Sequence, residues 1–361
     1  MTNISSDRQG QTAGWFAGAN TRYGFIGLYD SIFQAEEFDS VYVILGAPGT
    51  GKSHLMKAVA AHVPEAFQER LYCSSDPSSL DGLILRKDGR AIGILDGTSP
   101  HSRALTLPGA VETVLDLGAF WNKSKLKAAR GAIIEHTRQK KVAYESAYAA
   151  LSLAGHIEAE RMRLLQSAFL KEKAEAFSAR LLKKLSPPAG AQEVRYLSAI
   201  GMTGQASFAK DLAPCKTVWR IPTYYGIEKL CLDVIAKQAT EMGLSHVRFP
   251  DVLDPYYTEC LFFPEVECAI LAGEESTPFE EVTVTPTRFA ALEALRAIRP
   301  RLRALGHMLE EEKEATKEAL TMAGRAHFAL EGIFADAMDF AAKEAFTLQT
   351  VAQIRKDLSL P

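Results

Sequence analysis

The stretch SVYVILGAPGTGKSHLMKAVAAHV, which starts at Ser40, constrains the fold more than any other part of the chain. A β-branched apolar run, Val41 to Leu45, enters a glycine-rich turn and then a helical pattern. That is the strand, loop and helix setting in which the spacing GxxxxGK[ST] cradles phosphate. Glycines at positions 46, 49 and 51 let the backbone wrap an anion, with amides pointing inward beside a helix N-terminus. The predicted cradle is Gly46, Ala47, Pro48, Gly49, Thr50, Gly51, Lys52 and Ser53, followed by His54. Lys52 is placed to neutralise β- and γ-phosphates, and Ser53 to give Mg²⁺ a hydroxyl. The expected ligand is a nucleoside triphosphate with Mg²⁺.

Sites of this kind hold the metal through a carboxylate at the end of a neighbouring apolar strand. AIGILDG supplies one at Asp96, about 45 residues after the loop. Lys52, Asp96 and Asp76 are the candidate catalytic residues, and Ser53 and Asp96 the candidate metal ligands. Gly97 stands where vigorous ATPases carry a water-activating Glu, so fast autonomous hydrolysis is not expected. Between loop and Asp96, LYCSSDPSSLDGL offers Asp76 and Asp81 as a base or a Mg²⁺-water contact, although Asp-Pro-Ser-Ser is also good turn chemistry. His101 follows the Asp96 strand, where it would face the γ-phosphate. The guanine-reading motif NKxD is nearly matched by Asn122, Lys123, Ser124 and Lys125, but Lys at the fourth position cannot accept hydrogen bonds from guanine, so ATP is expected over GTP. Arg22, Arg90 and Arg103 lie near motifs, and nothing in the sequence chooses an arginine finger among them.

A chain of 361 residues, 47% hydrophobic, exceeds the roughly 250–300 residues at which single cores stop growing, so two domains or a duplication are expected. The net charge of -3 makes nucleic acid an unlikely partner on whole-chain electrostatics. The polar N-terminus does not read as a secretory signal, and no apolar run approaches the ~20 residues of a spanning helix. A soluble, cytoplasmic protein is expected. Five cysteines without a CxxC pair fit neither a disulfide framework nor a zinc site. Those from Cys215 to Cys268 read as small buried hydrophobes.

The chain repeats itself. ALSLAG (Ala150 to Gly155) matches ALTMAG (Ala319 to Gly324) at a shift of 169 residues, and the same shift aligns EAFS (Glu175 to Ser178) with EAFT (Glu344 to Thr347). Upstream, Trp219 to Leu232 can be laid on the P-loop at a shift of 175, with Gly226 at the Gly51 position, Ile227 replacing Lys52 and Glu228 replacing Ser53. CAILAGEE (Cys268 to Glu275) places Ala272 where Asp96 stands, and Asp254-Pro255 falls near Asp76-Pro77. A copy that loses lysine, hydroxyl and carboxylate together, and gains Glu228, is expected to repel a triphosphate.

In motif order the chain resembles a little-characterised family of bacterial proteins with tandem P-loop ATPase-like halves. The resemblance covers most of the chain and rests on FAGANTRYGF (Phe16 to Phe25), GAPGTGKS, CSSDPSSLDG (Cys73 to Gly82), DGTSPH (Asp96 to His101) and PGAVETVLDLGAFW (Pro108 to Trp121). It implies ATP binding in α/β lobes, with a P-loop commonly present in both halves, whereas here the second is eroded.

Each half ends in a helical arm, about Lys123 to Leu185 and about Pro286 to Leu358. The basic clusters of the first (Lys123, Lys125, Lys127, Arg130; Arg138, Lys140, Lys141) and the acidic cluster of the second (Glu310, Glu311, Glu312, Glu314) read either as solvated faces or as complementary surfaces joining arms, subunits or a protein partner. SPPAGAQ (Ser186 to Gln192) is the clearest linker. The expected fold is α/β, duplicated P-loop NTPase-like lobes on mainly parallel sheets, each followed by a helical arm: a nucleotide-binding domain at 1–120, arm and linker at 121–190, a degenerate copy at 191–285 and a second arm at 286–361. The leading functional expectation is a slow ATPase or ATP-dependent switch. The alternatives are a small-molecule kinase with Asp76 as base, and a non-catalytic scaffold stabilised by ATP.

Overall fold

The computed structural model describes residues 10–101, 104–212 and 215–360. The first half runs β1 (Thr12–Phe16), a hairpin of β2 (Gly18–Thr21) and β3 (Gly24–Gly27), a short α1 (Tyr29–Ile32), β4 (Ser40–Leu45), α2 (Lys52–His62), β5 (Phe67–Tyr72), β6 (Leu80–Lys87), β7 (Arg90–Asp96) and β8 (Glu112–Asp116). The helices α3 (Lys123–Ala128), α4 (Arg130–Leu165) and α5 (Lys171–Leu185) follow. The second half runs β9 (Gln192–Val194), a hairpin of β10 (Ser198–Gly201) and β11 (Gly204–Ser207), β12 (Thr217–Ile221), α6 (Ile227–Glu241), β13 (His246–Pro250), β14 (Thr258–Phe263), β15 (Cys268–Ala272), β16 (Glu280–Thr283), α7 (Leu292–Asp336) and α8 (Phe340–Asp357).

Two six-stranded mixed sheets result, ordered β1-β5-β6-β7-β4-β8 and β9-β13-β14-β15-β12-β16. Strand order and sense repeat position by position: in each sheet one strand, β6 or β14, is antiparallel to both neighbours and the other pairings are parallel. The sheets are therefore mostly rather than wholly parallel. The reason is local, since Asp88 and Gly89 adopt positive φ and close a tight hairpin between β6 and β7.

The sheets pack face to face. Trp15, Val43, Phe67 and Ile84 of the first share one buried core with Val218, Phe249, Cys260 and Phe262 of the second. At the sheet edges, Phe16 and Tyr196 exchange backbone hydrogen bonds of 2.9 and 3.0 Å. Inside the junction the buried Glu69 carboxylate accepts from Trp15 Nε1 (2.8 Å) and Arg195 Nε (2.6 Å). Cys215, Cys231, Cys260 and Cys268 are buried free thiols.

The helices cross between halves. α5 packs on α6 through Ala174, Phe177, Leu181, Leu230 and Cys231, while Val351, Ile354 and Leu358 of α8 pack on Leu55, Met56 and Val59 of α2. Each arm thus covers the sheet of the opposite half, which contiguous sequence segments did not suggest. The crossing is reciprocal in the 169-residue register. Asn122 N–H donates to Ala337 O and Ala291 N–H to Ala168 O, while Asp339 N–H donates to Phe120 O and Leu170 N–H to Phe289 O. Between these anchors α4 and α7 run antiparallel, with Leu151, Ala154 and Ile157 against Leu305 and Leu309, and Ala147 against Ala319 and Leu320.

Ion pairs between the two charged clusters do not make this interface, although Lys125 crosses to α7 by donating to Asp336 O at 2.9 Å. Arg138 pairs with Glu135, Lys313 with Glu310 and Lys317 with Glu314, all along their own exposed helix faces. Apolar burial joins the arms, because exposed pairs are worth only a few tenths of a kcal/mol. The repeated ALxxAG has its own cause. A Cβ at Gly155 would lie 2.5 Å from Arg22 Cβ, and one at Gly324 would lie 3.0 Å from Met202 Cβ. Arg22 and Met202 sit at the tips of the β2–β3 and β10–β11 hairpins, so each glycine lets a hairpin tip dock on an arm. No helix among the described residues is long and apolar enough to cross a membrane.

Candidate functional site

β4 lies between β7 and β8, parallel to both, and ends at the loop that leads into α2. The register Ile44 to Asp96 brings Asp96 beside that loop, with its carboxylate 3.5 Å from Lys52 Nζ. Lys52 also donates to Gly46 O (2.7 Å) and Ala47 O (3.0 Å). Asp96 accepts from the backbone and hydroxyl of Thr98, and Ser53 Oγ accepts from Leu80 N–H at 2.9 Å. Gly49 and Gly51 have φ of +76° and +86°, a region side chains disfavour. A Cβ at Gly49 would lie 2.4 Å from Glu331 O, so α7 of the second half rests directly on the loop. At Gly97 a Cβ would come within 2.5 Å of Val43 Cγ1 and 3.0 Å of Leu45 Cδ2, so a side chain there would require those side chains to shift.

These residues open onto a cavity of about 900 Å³, also lined by Asp76, Asp81, Cys73 and His101. The arms add Lys140, Tyr144 and Tyr148 from α4, and His327 and Glu331 from α7. Sequence reading left these five out of the site. Their only signal is spacing, i, i+4, i+8 on α4 and i, i+4 on α7, which marks any helix face. Lys343 of α8 was also missed. It is buried, its Nζ is 2.9 Å from His54 Nδ1, and its chain lies against Gly51. Burial, then the charge of Lys52, pushes Lys140 below the usual lysine range.

The other predicted residues divide. Asp76 is a turn residue whose carboxylate accepts from Ser78 N–H, Ser78 Oγ and Ser79 Oγ. Asp81 is buried, with His101 Nε2 at 3.4 Å and Tyr29 OH at 3.3 Å. Burial raises its pKa, as does the charge of Asp96, while His101 opposes the rise. Asn122 caps α3 by accepting from Lys125 N–H and is no base reader. Arg22 crosses to the other half, where it pairs with Asp254 at 2.8 Å. Arg90 donates to Asp357 O, and Arg103 lies outside the described residues.

In the second half Gly226 precedes α6 with φ +111°, matching Gly51. The buried Glu228 folds its carboxylate back to accept from Tyr224 N–H (2.8 Å) and Gly226 N–H (3.1 Å). Leu165 and Met162 of α4 fill the space above Gly226. Lys229 is held between Glu158 (3.0 Å) and Asp251 (2.7 Å).

No protein-family model, curated protein or solved structure matches the chain.

Proposed function

We propose that the chain is a duplicated P-loop protein that binds one nucleoside triphosphate, ATP with Mg²⁺, in its first half and works as a slow ATPase or ATP-dependent switch. The observation that carries this reading is the Gly46–Ser53 loop, set between β4 and α2 beside Asp96 and open to a cavity of about 900 Å³. The residues fit the ligand. Lys52 would exchange its carbonyl contacts for phosphate oxygens, while Ser53 and Asp96 would hold Mg²⁺, which supplies charge neutralisation at the phosphates. The second half fits as the eroded copy, because the Glu228 carboxylate already takes loop amides that a phosphate would use.

The switch reading draws on α7 and α8, which reach the loop at Gly49, Gly51 and His54. A nucleotide that moves the loop would move helices belonging to the other half. Slow turnover is the reading because Gly97, next to Asp96, brings no water-activating carboxylate. A kinase with Asp76 as base draws less support, since that carboxylate is committed to Ser78 and Ser79. The resemblance to tandem P-loop ATPase-like proteins points the same way.

The test is nucleotide binding and phosphate release by wild type and Lys52→Ala. Binding of Mg-ATP lost in the variant supports the reading, and a wild type that binds neither ATP nor GTP overturns it. Steady phosphate release without acceptor favours the ATPase, and ADP formation only with an added acceptor favours a kinase.

A further inference from the structure

β5, β6 and β7 are neighbours in the first sheet, and the end of β5, the start of β6 and the end of β7 meet at one edge. Cys73 follows β5, Asp81 is the second residue of β6 and His101 lies in the loop after β7. One ligand atom from each lies within 4.8 Å of the others, and all three residues line the cavity. We propose that Cys73, Asp81 and His101 bind one divalent transition-metal ion of the zinc class, with the fourth coordination position opening into the cavity.

Chemistry and geometry agree on this. Thiolate, imidazole and carboxylate are the ligand types of zinc, and three protein ligands with one open position mark its catalytic sites. Bonds of about 2.0–2.3 Å place neighbouring ligand atoms of a tetrahedron roughly 3.3–3.8 Å apart. The Asp81 to His101 separation of 3.4 Å already matches.

The hydrogen bonds that Asp81 accepts within the cluster are long or come from the Cys73 thiol. At 3.4 and 3.3 Å, the contacts of Asp81 with His101 and Tyr29 are long for hydrogen bonds. The side chains of His101 and Asp81 are only 10% and 6% exposed, and His101 Nδ1 is buried with no partner. The imidazole is nevertheless held in place, with the rings of Tyr29 and Phe25 edge-on at 5.0 and 5.6 Å. An imidazole fixed by aromatic edges, with its Nε2 facing a buried carboxylate beside a thiol, is a preorganised ligand set rather than a packed core.

The position gives the ion a role. The β6–β7 ladder ends at the pair Gly82 and Leu95, and Asp81 and Asp96 are the residues just beyond it on neighbouring strands, so the cluster lies one strand from the carboxylate beside Lys52. An ion there would hold a water or an acceptor oxygen within the cavity that contains the loop.

The inference does not depend on nucleotide binding, and its test separates the two. Full-length protein is purified without chelator, its metal content is measured, and Co²⁺ is exchanged in. The expected result is about one ion per chain, with a near-ultraviolet sulfur-to-cobalt charge-transfer band. Cys73→Ser should lose the band. Asp81→Asn and His101→Gln should bind the ion about tenfold or more weakly, and Lys52→Ala should bind it as wild type does. Cys73 is only half-buried, and the wild-type band itself reports sulfur ligation in the native fold. The proposal is overturned if wild type takes up neither metal, if bound Co²⁺ shows no sulfur band, or if Cys73→Ser keeps the band unchanged.

Discussion

Replacing Glu228 by alanine tests whether a built-in carboxylate occupies the loop of the second half. Glu228 is 4% exposed and accepts from two loop amides. Without it the Gly226 N–H is left buried and unpaired, at a cost of about 1–3 kcal/mol. Tyr224 is half-buried, so its amide can reach water and loses about 0.5–1.5 kcal/mol. The expected destabilisation is about 1.5–4.5 kcal/mol, read as a shift of the urea midpoint at constant slope. Glu228→Gln keeps an acceptor oxygen and should lose about 1 kcal/mol. The anion dependence is the sharper readout. If the alanine variant exposes amides arranged for an oxyanion, phosphate at about 100 times its dissociation constant restores about 2.7 kcal/mol. The same phosphate should not raise wild-type stability through this loop. A loss under about 0.5 kcal/mol in the alanine variant would refute the idea that the Glu228 carboxylate holds the loop amides.

Gly49→Ala places a Cβ 2.4 Å from Glu331 O at φ +76°, so it should lower the melting temperature, with backbone strain alone costing about 1–3 kcal/mol, and weaken nucleotide binding; a wild-type melt would contradict the close contact of α7 with the loop. Glu259 is buried and its carboxyl is pushed up to about 8, whereas an unfolded glutamate ionises near ~4.3. Between those values the folded chain holds more protons, so stability falls as pH rises across that window. Glu259→Gln should flatten the decline and be the more stable protein above pH 8, with slopes of the same sign remaining from Asp233, pushed up to about 7, and from Asp81, Glu193 and Glu228, which burial also raises. Parallel pH profiles for wild type and variant would refute it.

Much of the architecture was legible because its signals are local or periodic. The apolar run of β4, the glycine turn and the α2 pattern are contiguous, so their geometry is set by neighbours in sequence. Asp96 was legible as the end of an apolar strand, although only the β4–β7 register brings it to Lys52. The 169-residue repeat was legible too, and it marks the reciprocal anchors of the arms.

Sequence could not say which half each arm covers, since the apolar faces of α5 and α8 suit either sheet equally well; the length and antiparallel course of α4 and α7 carry them across. The same crossing delivers Lys140, Tyr144, His327, Glu331 and Lys343 to a loop far away in the chain, from helix faces whose spacing looks like any other. Asp81 and His101 were legible as candidates beside the phosphates, but their juxtaposition with Cys73 was not, because only adjacent strands bring the three ends together. Local pattern determined the elements and the glycine-rich Gly46–Ser53 motif by itself. Only the burial of one half's helices against the other's sheet decided what surrounds that motif.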